Sequence, residues 1–266
     1  MSNNFPGILV PRRTLLSRRD LLGFAAKGAA SVVVSQALLL ACAADANAVT
    51  DTTSTTDTSG TTGSTSGSAT CVLTAALTEG PFFVDEKLNR SDIRTDPVTG
   101  VVSAGIPLAL TFNVSRYATN ACTPLTGAYL DVWHCDSAGT YSDVSGSSKK
   151  FLRGYQITDA NGVAAFTSIY PGWYSGRAVH IHFKLRLYAG STKSYEFTSQ
   201  FFFNDALTDS VYTLSPYSAR GSRDTRNAND GIYNSLSPTD VAGLTLQTTK
   251  TTDGYAGVIN LGVKVG

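Results

Sequence analysis

An all-β, antiparallel β-sandwich with long irregular loops is predicted from residue 71 onward, on three observations. Apolar and polar residues alternate with period two in several short runs, and clusters of turn-forming residues separate those runs. The 266 residues, 42% of them hydrophobic, also suffice for one good core rather than two. A single catalytic domain over residues 71–266 is expected.

The chain before that domain reads differently. Residues 1–41 carry Arg12, Arg13, Arg18, Arg19 and Lys27 against the single acid Asp20, and from Leu21 a weakly polar apolar run follows. This is the pattern of an export signal, and Ser17-Arg18-Arg19-Asp20-Leu21-Leu22 resembles the twin-arginine type, which carries proteins already folded. Leu39-Leu40-Ala41-Cys42 resembles a lipobox whose cysteine becomes a lipid-bearing N-terminus, while Ala46-Asn47-Ala48 fits an A-x-A cleavage site. Residues 42–70 form a linker that is almost pure Thr, Ser, Gly and Asp after Val49, as in a flexible tether. A tether makes most sense behind an anchor, so attachment to the membrane through Cys42 is the preferred reading. By either route the mature protein is expected outside the cytoplasm, periplasmic or on the cell envelope.

Strands follow in order. Leu108, Leu110, Phe112 and Val114 alternate in one run and Leu130 and Val132 in the next. Tyr155 and Ile157 precede Asp159-Ala160-Asn161-Gly162, read as a hairpin turn before the strand Val163 to Ile169. From Ala178 to Tyr188 the alternation is strict, with Val179, Ile181, Phe183, Leu185 and Leu187 on one face and His180, His182, Lys184 and Arg186 on the other. Phe197 to Phe203 and Val258 to Val265 supply two more strands. Asn204 to Ser237, rich in Asp, Ser, Asn and Arg, is expected to be a long irregular excursion.

Loss of residues 1–41 removes five positive charges and one negative, taking the formal net charge from +1 to −3. No nucleic-acid surface is expected on such a chain. With Cys42 lipidated, Cys71, Cys122 and Cys135 remain, which predicts one disulfide and one buried thiol, its connectivity open.

Chemistry concentrates at His180-Ile181-His182, because period two sets both imidazoles on one side of a strand where they can converge on one cation. The third histidine, His134, is expected to be a hydrogen-bonded core residue, and Asp136 to brace a turn. Tyr174, in Pro171-Gly172-Trp173-Tyr174-Ser175-Gly176-Arg177, and Tyr141, just beyond Trp133-His134, are candidate phenolate ligands. A trivalent cation stabilises phenolate strongly enough to ionise tyrosine near neutral pH, and hard phenolate oxygens suit ferric iron better than zinc.

Four motifs carry a resemblance that covers most of the chain after Cys71. They are Thr78-Glu79-Gly80-Pro81-Phe82-Phe83, Leu130 to Asp136 with Gly139-Thr140-Tyr141, Pro171 to His182, and Thr198-Ser199-Gln200-Phe201-Phe202-Phe203. In order and chemistry the chain resembles the intradiol ring-cleavage dioxygenases, the family of catechol and protocatechuate dioxygenases. The resemblance implies non-haem Fe(III) held by Tyr141, Tyr174, His180 and His182, with Arg177 and Gln200 as active-site residues. It implies that a small aromatic diol binds the iron through both oxygens, displacing Tyr174, which takes up a proton. O2 then enters the ring, which opens between its two hydroxylated carbons to a muconate-type diacid, while Arg177 stabilises the developing negative charge and Gln200 orients the substrate or a neighbouring group. No helical N-terminal dimerisation segment like that of the catechol-specific members is recognisable, and homo-oligomerisation is left open. The rival readings are a non-catalytic cell-surface sandwich and a metal-storage or sensing lipoprotein built on the same ligands.

Overall fold

The predicted alternation produces strands at each of the expected places. The computed structural model describes residues 72–119 and 121–265; the export signal 1–41, Cys42, the linker 42–70 and Cys71 lie outside the described residues. The strands are β1 (Pro107–Ala118), β2 (Ala121–Pro124), β3 (Tyr129–Trp133), β4 (Arg153–Ile157), β5 (Val163–Ile169), β6 (His180–Ala189), β7 (Thr192–Phe202), β8 (Gln247–Lys250) and β9 (Tyr255–Val263). Two helices, α1 (Asp205–Tyr212) and α2 (Pro238–Leu244), accompany them. No helix among the described residues is long and apolar enough to cross a membrane.

The strands form two sheets. One runs β4-β3-β6-β7, antiparallel throughout. In the other, β9 lies between β1 and β8, and the opposite edge of β1 is shared end to end, by β5 along Pro107 to Asn113 and by β2 along Ser115 to Ala118. The sandwich is antiparallel as expected except that β1 and β9 run parallel, in register from Leu108↔Tyr255 to Arg116↔Val263.

Facing strands supply the core. Phe112 of β1 meets Phe183 of β6 and Phe201 of β7, each at 5.9 Å between ring centroids, and all three side chains are fully buried. Each such ring contributes about 1.5–3 kcal/mol through the area it removes from water.

Two expectations are corrected. The Asp159–Gly162 turn forms, with Asp159 Oδ1 accepting from the N–H groups of Asn161 and Val163, but it is not a hairpin. Its flanks are claimed by different neighbours, β4 by β3 and β5 by β1, so the turn carries the chain from one sheet to the other. Gly162 there has φ +74°, and a Cβ would sit 2.2 Å from Val114 O. The excursion from Asn204 to Ser237 is also less irregular than expected, because it holds α1 and three short 3-10 turns. Asn204 caps α1 by accepting from Ala206 and Leu207 N–H, and Ser237 caps α2 just ahead of Pro238.

β6 is buried on both faces. Ile181, Phe183 and Leu185 face the core, and His180, His182, Lys184 and Arg186 lie beneath the chain preceding β1. That segment is stitched down by Leu77 N–H to Thr198 O and by Tyr155 N–H to Leu88 O. Ion pairs join Glu79 to Lys184 and Asp85 to Arg186. The histidine face is therefore an enclosed polar layer rather than an exposed edge.

Candidate metal centre

Strand register assembles the floor of the site. Antiparallel pairing sets Gln200 and Trp133 on either side of His182, and Phe202 beside His180. The Trp133 indole stacks on the His182 ring at 5.0 Å and 7°. Gly80, at φ +69°, also passes close to this ring, where a Cβ would come 3.4 Å from His182 Cε1. His180 Nδ1–H donates to Ala178 O at 2.6 Å, which leaves the Nε2 lone pair pointing into the site.

Two interlocked loops bring in the tyrosines. Asp136 Oδ1 accepts from Ala138 and Thr140 N–H, bracing the turn that leads to Tyr141 as expected. Gly172 N–H donates to Asp136 O at 3.0 Å, and Gly139 lies so close to Trp173 that a Cβ would come 2.1 Å from its carbonyl oxygen. The glycines of both motifs thus permit the contact between the Tyr141 loop and the Tyr174 loop. Phe82 stacks on Tyr141 at 4.2 Å and sets its edge to Tyr174 at 6.0 Å, closing one wall.

Three donor atoms surround His180 Nε2: His182 Nε2 at 3.0 Å, Tyr174 Oη at 3.2 Å and Tyr141 Oη at 3.5 Å. Donors bound to one cation at about 2.1 Å, at right to tetrahedral angles, lie roughly 3.0–3.4 Å apart, so this spacing fits a shared ion. Among the described residues no group of three or more His, Cys, Asp or Glu is arranged to hold a metal, so imidazole and phenol are the donors on offer. Burial, then the Arg177 charge, pushes His180 down to about 3; burial, His180 and Arg177 hold His182 well below its ordinary value. Both rings are therefore neutral, as metal ligation requires. Burial raises Tyr141 well above the usual phenol value and raises Tyr174 against the opposing pull of Arg177, so only a strong positive charge would ionise them. Tyr141 is buried and Tyr174 half-buried, which makes Tyr174 the phenol nearer solvent.

The structure brings Arg177 and Gln200 to this site as a linked pair. Arg177 Nη2 donates to Gln200 Oε1 at 2.7 Å, and Gln200 Nε2 donates to Thr78 O at 2.8 Å. Arg177 Nε donates to Asp230 Oδ2 at 2.8 Å. Asp230 escaped the sequence reading because it lies far along the Asn204–Ser237 excursion, with nothing local to mark it. Phe82 and Trp133 stand in motifs already singled out, and their aromatic character beside Gly80-Pro81 and before His134 was the available signal.

His134 stays out of the donor set. Its Nε2 pairs with Ser168 Oγ at 2.7 Å and its Nδ1 with Cys135 O at 2.8 Å, both buried. Cys135 is a free buried thiol, pushed up to about 12 by burial, while Cys122 is disulfide-bonded, in line with the expected one bridge and one thiol.

A sequence model of the dioxygenase family matches residues 78–215, a span holding both tyrosines, Arg177, both histidines and Gln200. A search of curated proteins found no match. Among solved structures, an intradiol ring-cleavage dioxygenase from Tetranychus urticae is 28% identical, with a TM-score of 0.63 over 73% of this chain and 95% of that one. The dioxygenase domain of a dioxygenase carbohydrate-binding protein fusion from Streptomyces sp. SirexAA-E is 27% identical, with a TM-score of 0.53 over 73% of this chain and 100% of that one. A hydroxyquinol 1,2-dioxygenase from Pseudomonas putida DLL-E4, at 16% identity and a TM-score of 0.51 over 75% of this chain and 69% of that one, shares the fold. With the family model matched over more than half of its length, this chain belongs to the intradiol dioxygenases.

Proposed function

We propose that this protein is a non-haem Fe(III) intradiol dioxygenase that cleaves a catechol-type ring between its two hydroxylated carbons, incorporating both atoms of O2 into a muconate-type diacid. The observation that carries the reading is the gathering of a second imidazole nitrogen and two phenol oxygens within 3.5 Å of His180 Nε2. The family generally works through non-haem Fe(III) and acts on catechol-type substrates with O2. Tyr141, Tyr174, His180 and His182 would hold the iron. When bound, Fe(III) supplies the Lewis acidity that ionises the catechol and draws on its electrons for reaction with O2.

The chain's own residues supply the rest. Tyr174, the phenol nearer solvent, would be the one to take up a proton from the diol at Oη, while buried Tyr141 would remain a ligand. Arg177 faces this position with a permanent charge and stabilises negative charge as it develops on the substrate. Gln200 spends its amide on Arg177 and Thr78 O, so it orients the guanidinium rather than the ring. Phe82 and Trp133 wall the site with apolar surface that excludes water.

Oxygen uptake with a panel of catechols, at about one O2 per diol, is the expected result for the iron-loaded protein, which should be red-brown through tyrosinate charge transfer. A colourless iron-loaded protein that consumes no oxygen with any catechol would refute the reading in favour of storage or simple binding. Export on the twin-arginine-like segment and anchorage at Cys42 complete the proposal on sequence grounds. Cys42→Ala is expected to move the protein from the membrane fraction to the soluble one; a wild-type protein already soluble and beginning near Val49 would favour the A-x-A site.

A further inference from the structure

Asp230 is fully buried, yet a carboxylate there has every need met. Its Oδ1 accepts from Ile232 N–H at 2.8 Å and Tyr233 N–H at 3.0 Å, which fixes the carboxylate at the start of the 3-10 turn that follows it. Its Oδ2 accepts from Arg177 Nε–H and from Ala178 N–H, both at 2.8 Å. Burial disfavours the charge, but the Tyr233 N–H, Arg177 and Ala178 N–H outweigh it and leave the group more acidic than an ordinary aspartate. The guanidinium is thereby anchored twice, at Nε by Asp230 and at Nη2 by Gln200, and its plane is set. The same Oδ2 also registers the next residue, Ala178, whose carbonyl accepts the Nδ1–H of His180.

We infer that Asp230 is a positioning residue that aims Arg177 at the substrate and holds it in register with His180, an inference that rests on the dioxygenase reading above. No local pattern in the chain requires it; the excursion after β7 brings it across 53 residues to do this. An asparagine could not substitute. Its amide would set a donor against Arg177 and Ala178 N–H or, flipped, against Ile232 and Tyr233 N–H, leaving two buried donors without an acceptor either way.

The test uses the iron-loaded wild type, Asp230→Asn, Arg177→Gln and the double variant. For the catechol that the wild type turns over best, Asp230→Asn is expected to lower kcat about tenfold or more and to raise KM up to about tenfold, because Arg177 acts on negative charge already present on the bound diol and growing toward the transition state. In the Arg177→Gln background the same change should cost less than twofold. An unchanged kcat, or an equal loss in both backgrounds, would overturn the inference, since a merely structural carboxylate acts whether or not Arg177 is present. Binding of 4-nitrocatechol, followed by its visible absorption in the same four proteins, supplies a readout without turnover. Affinity should fall about tenfold in Asp230→Asn relative to the wild type but less than twofold in the double variant relative to Arg177→Gln, and equal affinities in wild type and Asp230→Asn would again overturn it. A wild type that binds 4-nitrocatechol but consumes no oxygen with any catechol refutes the dioxygenase reading and leaves these affinities to decide on Asp230. Should Asp230→Asn fail to fold, Arg177→Lys decides. It keeps the charge but lacks the fork, and retention of more than half the wild-type kcat would overturn the inference.

Discussion

Gly139 has no room for a side chain. Its φ is +77°, and a Cβ would come 2.1 Å from Trp173 O and 2.5 Å from an Arg220 nitrogen. Gly139→Ala is therefore expected to destabilise the fold by at least about 2 kcal/mol, from left-handed strain plus the forced separation of the two tyrosine loops. Iron content should fall with it, as read by metal analysis beside thermal unfolding; a variant with full iron and an unchanged Tm would contradict the interlock. His134 makes a prediction in pH. Burial first, with the Arg153 charge adding, depresses it from the usual 6.5 to about 4 against the opposing hydrogen bond to Cys135. The folded state thus resists a proton that the unfolded chain accepts. The stability that follows is complete above pH 6.5 and is lost as pH falls from 6.5 through 4, by on the order of 3 kcal/mol. Denaturant unfolding should show a steeper decline over that window for the wild type than for His134→Gln. Parallel curves would show that His134 is not the group responsible.

At the scale of elements, the segment before β1 acts as a roof held by backbone hydrogen bonds and, in part, by ion pairs. Arg186, side chain 7% exposed, is shared between Asp85 on the roof and Asp131 on β3. Asp85→Ala removes one fastening and leaves Arg186 to Asp131, at a cost of about 1 kcal/mol, or a Tm lower by roughly 2–4 °C. Hydrogen exchange should accelerate across residues 78–90 but not in β6, whereas uniform acceleration would mean that the roof and the sheet open together. The long strands were legible in the sequence because each buries one alternating apolar face. β2 and β8 were not, since Ala-Cys-Thr-Pro and Gln-Thr-Thr-Lys carry no such face and are strands only because an edge lies ready beside them. α1 and α2 had caps in plain view, Asn204 and Ser237, but each is too short to show a helical period.

For the whole molecule, legibility divides along the same line between local and distant. His180 and His182 share a strand, and the tyrosines sit in turn motifs a few residues long, so the donor set is readable in the order of the residues alone. What joins those pieces was not visible there: the switch between sheets at Asp159–Gly162, the parallel pairing of β1 with β9, and the carboxylate that reaches Arg177 from the excursion after β7. Each depends on which segments become neighbours, and that is decided by burial of the whole core. The place of β9 has a further consequence. It follows every other described strand, yet it lies inside its sheet, with β1 on one side and β8 on the other. A chain emerging from the ribosome can pair β3, β4, β6 and β7 while the second layer still lacks its middle. The sandwich can close only after about residue 263 is made, so the core stays incomplete until the last described strand has left the ribosome.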